Sequence, residues 1–343
     1  MTGRDLLLGL TEVEPEFLAE AENYPLASTR QRIFRRPVLA AALIALVLIF
    51  VGCAYVVVSE TEWFQSFFAQ RQEQGLSEGQ AAYVEENTKI IGQSVKKDGY
   101  TLTVESAIAD PYHAYIKLRL DAPFWEKLDA DQYVGGVYRQ EDGSFEPLLS
   151  VRDTQQVLCS VGSWEGMDDG DPKDNSFQIM LILDQSLAAE DSLFKAGVPY
   201  QLHVHGLSKY YWDDRKPDEQ ITDAVFDFEI VFDKINADML EMIDEPITIS
   251  RDSISVRLTS LRLHTTGVYA TYKGRNDERG FFCLIDAVVV LRDGTQVPMI
   301  QGAITTGESI WQLPSPIDLD EVDHVLLHDG TKIPVPETKK SPG

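Results

Sequence analysis

Three hydrophobic patterns follow one another along the chain. In the first, apolar residues recur at helical spacing: Leu6, Leu10, Val13 and Phe17 fall four, three and four residues apart, with Leu7 and Leu18 beside them. That spacing makes one apolar stripe. Thr11 and Glu14 stand at capping-box separation, and Pro15 suits a first helical turn. The pattern predicts two short helices, about 3–10 and about 12–23, in a segment too small to bury a core of its own. The stripe therefore needs another surface, protein or membrane.

The second pattern is an unbroken apolar run. From Pro37 to Val58 no residue is charged. At about 1.5 Å per residue it reaches roughly 33 Å, enough to cross a hydrocarbon core of about 30 Å. Only a helix can cross alone, because every backbone polar group must be paired within the segment. Residues 37–58 are therefore expected to form a transmembrane helix. Arg30, Arg32, Arg35 and Arg36 crowd its leading end, and the first charges beyond it are Glu60 and Glu62. Basic flanks stay cytoplasmic, so residues 1–36 are expected inside and residues 59–343 outside. A leader of 36 residues is too long for an ordinary cleaved signal peptide. Trp63, Phe64, Phe67 and Phe68 continue the helical spacing, with Trp63 expected near the membrane interface. Gly75 marks a stop, and Ser77 with Gln80 forms a second capping box that opens a helix through Glu85. Residues 59–86 read as an extracellular helical stalk.

From Asn87 the period changes to two. "YTLTVESAIADPYHAYIKLRL" alternates on both sides of an Asp110-Pro111 turn and predicts a hairpin. "ISVRLTSLRLHTTGVYATY" repeats it: an offset of 154 pairs Tyr100 with Ile254, Leu102 with Val256, Val104 with Leu258, Ser106 with Ser260, Ala114 with Val268 and Tyr115 with Tyr269. Asp-Gly turns follow at Asp142, Asp293 and Asp329. Asp-Gly is a hairpin signal because Gly tolerates positive φ and Asp bonds the neighbouring backbone. The order implies a duplicated, mainly β ectodomain: two tandem immunoglobulin-like sandwiches, 87–236 and 243–336, ahead of a polar tail, 337–343, expected to be disordered.

Charge sharpens this division. The chain of 343 residues has a formal net charge of −25. Residues 1–36 hold five arginines against six acids, about −1, which leaves −24 for the remainder. So acidic a chain does not suit direct binding to nucleic acid, whose phosphates require Lys and Arg. Of three cysteines, Cys53 lies in the apolar run, and Cys159 and Cys283 are left with pairing open. This is not a cystine scaffold.

Catalytic patterns are absent from the sequence. There is no G-x-S-x-G, H-E-x-x-H or phosphate-cradling Gly-rich loop, so an enzyme is not expected. His203 and His205 share a strand face but lack a third zinc ligand. Asp168, Asp169, Asp171 and Asp174 crowd one loop without EF-hand spacing, which leaves a solvated loop ahead of a weak cation site. Neither metal nor cofactor is predicted. Tyr210, Tyr211 and Trp212 stand in a polar insertion, where they could contact sugars or a partner.

Three stretches carry a resemblance: "DLLLGLTEVEPEFLAEA", "RRPVLAAALIALVL" and "LSEGQAAYVEENTKIIGQSVKKDGYTLTVESAIADPYHAYIKLRL". They resemble a bacterial family of single-pass membrane proteins with an ectodomain of unknown function, commonly regarded as anti-sigma factors of extracytoplasmic-function sigma factors. The resemblance implies a plasma-membrane protein whose inner helices hold a sigma factor, with Leu6, Leu7, Leu10, Val13, Phe17 and Leu18 as the grip. An external event, an envelope protease or a conformational change, would release it. The alternative is a surface-displayed binding or envelope-maintenance protein, contacting wall polymer and lacking a cytoplasmic partner.

Overall fold

The computed structural model describes residues 57–73, 75–123, 132–135, 148–151, 157–159, 163–167, 175–184, 194–211, 219–236, 238–273 and 277–336. The apolar stripe from Leu6 to Leu18, the arginines from Arg30 to Arg36, the Asp168–Asp174 loop, Trp212, the Asp142 turn and the tail lie outside the described residues. Among the described residues no helix is long and apolar enough to cross a membrane. The expected span contributes only its last two residues, Val57 and Val58.

The protein is mainly β, in several sheets. Helix α1 (57–71) precedes α2 (Glu78–Asn87). The capping box at the start of α2 is formed: the Ser77 N–H donates to Gln80 Oε1 at 2.8 Å, and the Gln80 N–H to Ser77 Oγ at 3.3 Å.

In the first β unit, one sheet has the order β1 (Lys89–Lys97), β2 (Tyr100–Ala109), β3 (His113–Asp121), β8 (Ser176–Asp184), β7 (Ser163–Met167). The facing sheet has the order β10 (Glu219–Val231), β9 (Pro199–Tyr211), β5 (Leu149–Val151), β6 (Val157–Cys159), and β4 (Gln132–Gly135) also pairs with β9. Leu102, Val104, Leu118 and Ile179 from the first sheet meet Leu202, Val204, Phe226 and Phe228 from the second in one apolar core.

The second unit repeats the plan. Its sheets run β13 (Ile254–His264), β14 (Gly267–Lys273), β18 (Glu308–Gln312), β17 (Ile300–Thr305), and β20 (Lys332–Pro334), β19 (Val322–Leu326), β15 (Val288–Leu291), β16 (Gln296–Pro298). Both β11 (Met239–Glu241) and β12 (Ile247–Arg251) pair with β13 along the side away from β14. Strand for strand, β12-β13-β14-β18-β17 follows β1-β2-β3-β8-β7, and β20-β19-β15-β16 follows β10-β9-β5-β6. Even an irregularity repeats. The β2–β3 register shifts between Val104 and Ser106, and the β13–β14 register between Leu258 and Ser260, both at the 154-residue offset. An inserted residue bends a strand and increases its twist, so both hairpins are re-aimed at the same point. The described Asp-Gly turns behave as expected, with Gly294 and Gly330 at φ 89° and 84°.

The two units differ on their outer faces. β13 shows the partial alternation of a sheet with one solvated side, whereas β2 and β3 are buried almost throughout. Helix α1 is the cause. Phe64, Phe67 and Phe68 are buried against Ile108, Tyr115, Met180 and Ile182, which point away from the sandwich core. Each such aromatic contributes about 1.5–3 kcal/mol by leaving water. Of the stalk expected at 59–86, residues 59–71 and 78–86 are helical; α1 packs on the first unit, and Gln80 of α2 reaches Ser315 and Pro316 of the second. Trp63 stacks on Phe67 and faces the Lys117 ammonium, 4.7 Å from the ring centroid.

Candidate functional site at the junction of the two β units

The tight turns after β2 and β13 bring chemically unlike residues to equivalent places. Carried into the hairpin tips, the offset of 154 sets Asp110 against His264, Tyr112 against Thr266 and His113 against Gly267. These tips meet each other. Thr266 donates its hydroxyl to Asp110 Oδ2, and Tyr112 packs edge-on to His264 with ring centroids 4.6 Å apart. Position 110 of one repeat therefore touches position 112 of the other, in both directions. His113 covers Gly267, its own counterpart: a Cβ on Gly267 would lie 2.1 Å from His113 Cε1. Along the neighbouring strands, His113 pairs with Asp184 and Gly267 with Gln312. Those two partners also meet, the Gln312 amide donating to the Asp184 carboxylate at 3.0 and 3.1 Å. Reciprocal contacts of this kind are what a two-fold interface produces.

The junction is polar and sealed. Asp110 Oδ1 accepts the N–H groups of Tyr112 and His113, both at 2.7 Å, which shapes the turn. The His113 ring lies between two carboxylates, Nδ1 3.4 Å from Asp110 and Nε2 3.6 Å from Asp184. Burial alone would push the Asp110 carboxyl up; the His113 charge and hydrogen bond, with His264 and Thr266, outweigh it and hold the group well below the carboxylate range. Burial works against the His113 charge too, but Asp110 and Asp184 prevail and raise its pKa. His264 behaves oppositely, burial pushing it down. Its ring nitrogens make no hydrogen bond of normal geometry among the described residues, the Asp238 backbone being the nearest partner. Burial raises the Tyr115 hydroxyl above its ordinary value.

The end of α1 is tied into this junction. Arg71 Nη2 reaches Gln312 Oε1 at 3.1 Å in the second unit and Glu165 at 3.4 Å in the first. Ser315 donates to the Gln72 side chain, and the Gln80 amide donates to Ser315 Oγ and Pro316 O at 2.8 and 2.7 Å. Nearer its start, α1 contributes Glu60, whose carboxylate pairs with the buried Lys117 at 3.0 Å and accepts from Ser106. One helix therefore holds both β units. Asp110 and His113 are fully buried, and Asp184 is the partly exposed member of the group.

Beside the junction lies an open cleft of about 680 Å³, within the usual range of ligand pockets. One wall is the face of α2 carrying Ala82, Tyr83 and Glu86; Asn236 with Asp238, Met239 and Leu240, and Ile317 to Asp320 with Val322, form the others.

Residues singled out from the sequence fare differently. Tyr210 and Tyr211, expected in a loop, lie in β9 opposite Tyr133 and Gln132, because the strand runs longer than its polar ending suggested. His203 is half-buried and takes Asp227 at 2.8 Å and Ser150 at 3.3 Å as partners. The Cys283 thiol is free and buried. No group of three or more His, Cys, Asp or Glu among the described residues is arranged to hold a metal ion. The junction residues were missed, Asp110 having been read only as part of a turn. A signal existed: Asp110 against His264 and His113 against Gly267 change chemical type at the tips of a repeat whose core-facing positions, such as Leu102 with Val256 and Val104 with Leu258, match apolar with apolar.

A family model described as a domain of unknown function (DUF4179) matches residues 29–121, a stretch that ends with β3 and includes the Asp110–His113 corner. No curated protein matches the chain. Similar solved structures include a conserved domain protein from Bacillus anthracis, 14% identical over 74% of this chain and 88% of that one, with a TM-score of 0.42. They also include S. aureus TarS, 11% identical over 74% of this chain and 46% of that one, TM-score 0.18. A TarS 217–571 structure is 12% identical over 74% and 73%, TM-score 0.17. At these scores the likenesses carry no argument about this chain.

Proposed function

We propose that the chain is a single-pass, membrane-anchored regulator, an anti-sigma factor that holds a sigma factor through residues 1–36 and carries two immunoglobulin-like β units outside a bacterial plasma membrane. One observation supports this reading above the others. Helix α1, which continues directly from the apolar run, is keyed by Phe64, Phe67, Phe68 and Arg71 into the first unit and into its junction with the second. Val57 and Val58, at the start of α1, are 46% and 54% exposed, among the few large apolar side chains left in water. That is the surface expected where a helix leaves lipid. A change in the packing of the units would reach α1 without a flexible intermediary.

The test is co-purification from detergent-solubilised membranes of the full chain and of a chain lacking residues 1–25. The expected result is a sigma factor that accompanies the first and is lost with the second. Recovery of no cytoplasmic protein that depends on those residues would overturn the regulator reading. It would favour a surface-displayed binding protein, for which the open cleft is the supporting observation.

A further inference from the structure

We infer that the cleft between α2 and the second β unit is a docking site for a cationic peptide segment that carries apolar side chains. The inference goes beyond the regulator reading and stands or falls without it. Its floor is apolar: Ala82, Met239, Ile317, Leu319 and Val335 line it. Met239 is 49% exposed there, although neighbouring Leu240 is buried in the second core. An unbranched, polarisable side chain left open in a cleft suits a surface that must accommodate a partner's side chains. The helix face that forms one wall presents Gly79, Ala82, Tyr83 and Glu86, residues at three- and four-residue steps whose small members leave room for an extended or helical segment to approach.

The charge around the floor selects the occupant. Glu86, Asp238, Asp318 and Asp320 line the cleft, against one cation, Arg292, a local balance of −3. Lys234 reaches Glu86 at 3.6 Å from outside, both side chains being well exposed, so the pair is weak. Asp318 and Asp320 stand together at a short 3-10 turn, the Asp320 N–H donating to Asp318 at 2.9 Å. An anionic segment would be repelled by this negative balance, and an uncharged apolar one would gain nothing from it. Lysine or arginine flanking an apolar side chain answers both floor and rim.

The experiment uses the full chain in nanodiscs of neutral phosphatidylcholine, with empty discs as the baseline. The probe is a fluorescein-labelled peptide of alternating lysine and leucine, read by fluorescence anisotropy. Saturable binding is expected, weakened by added salt because exposed charges are screened beyond about 10 Å at 0.1 M. Glu86→Lys with Asp238→Lys should weaken it about tenfold or more, and Ala82→Trp, which fills the cleft from an exposed helix position, should do the same without adding charge. Glu62→Lys with Glu85→Lys, exposed and outside the cleft, should leave affinity within about twofold. Thermal midpoints of all variants confirm that each is folded. Absence of saturable binding, equal losses in the cleft and control variants, or equal affinity for a serine-for-lysine peptide would overturn the inference. So would a dimer that Ala82→Trp dissolves, since the cleft would then belong to a second copy.

Discussion

The corner after β2 and the corner after β13 share a strand order, a bulge and a position in their sheets, yet one holds a buried charge and the other avoids it. Asp110 accepts two backbone N–H groups and the Thr266 hydroxyl, and has beside it the His113 ring, whose pKa it raises. Its counterpart His264 packs by its ring against Tyr112, and burial lowers its pKa. His113 needs the space that Gly267 leaves, so the two equivalent positions cannot both carry a side chain. Duplicated sequences that meet through equivalent surfaces face this conflict at their centre, and here it is resolved by making the two copies unlike.

The comparison is sharpest when the two corners are altered at equivalent places. Asp110→Ala strands His113 beside a single remaining carboxylate and leaves two N–H groups unpaired, a loss of about 3–5 kcal/mol by analogy with broken buried ion pairs. His264→Leu, at the matching place, should change stability by less than about 1 kcal/mol, because it replaces nitrogens with poor partners by apolar surface. Urea denaturation of both variants measures the difference; equal losses would mean that the charge asymmetry contributes nothing.

Next in size is Gly267→Ala. Its Cβ would lie 2.1 Å from His113 Cε1 and 2.7 Å from the Trp311 carbonyl oxygen, and overpacking of this kind costs about 1–3 kcal/mol. Adding His113→Ala should recover part of the loss and not all of it, since the Trp311 backbone stays in place. Full recovery would show that only the histidine blocks a second side chain.

The smallest effect is on pH dependence. The raised His113 pKa gives stability that is fully present below its unfolded value of about 6.5 and is lost as pH rises through the folded value. The depressed Asp110 gives stability present above about 3.9 and lost as pH falls through its lowered value. His264, depressed as a base, contributes above about 6.5 and loses that contribution on acidification. The thermal midpoint of the wild type should therefore decline above neutrality, and His113→Gln should flatten that limb. An unchanged alkaline limb in the variant would remove His113 as its source.

What could be read from the chain divides along the range of the interactions. The β2–β3 hairpin, the Asp293 and Asp329 turns and the Ser77–Gln80 cap were legible because each is set by neighbours a few residues apart. The repeat was legible too, since the offset pairs apolar with apolar. Burial of Ile108 and Tyr115 on the outer face was not, because it depends on Phe64, Phe67 and Phe68 crossing to a sheet formed much later in the chain. Nor was the pairing of Arg71 with Gln312, 241 residues away. Long-range polar contacts leave no period to detect. Tyr210 and Tyr211 went to a strand for a local reason: alternation fades in their polar neighbourhood, but pairing with β4 continues through them.

The docking of α1 also fixes where residue 57 stands against the β units. Fifteen helical residues reach about 22 Å, and the aromatic keys begin within the first two turns. Residue 57 and the β units thus form one mechanical body: a pull applied at residue 57 loads the aromatic keys directly, as shear along the outer face of the first sheet.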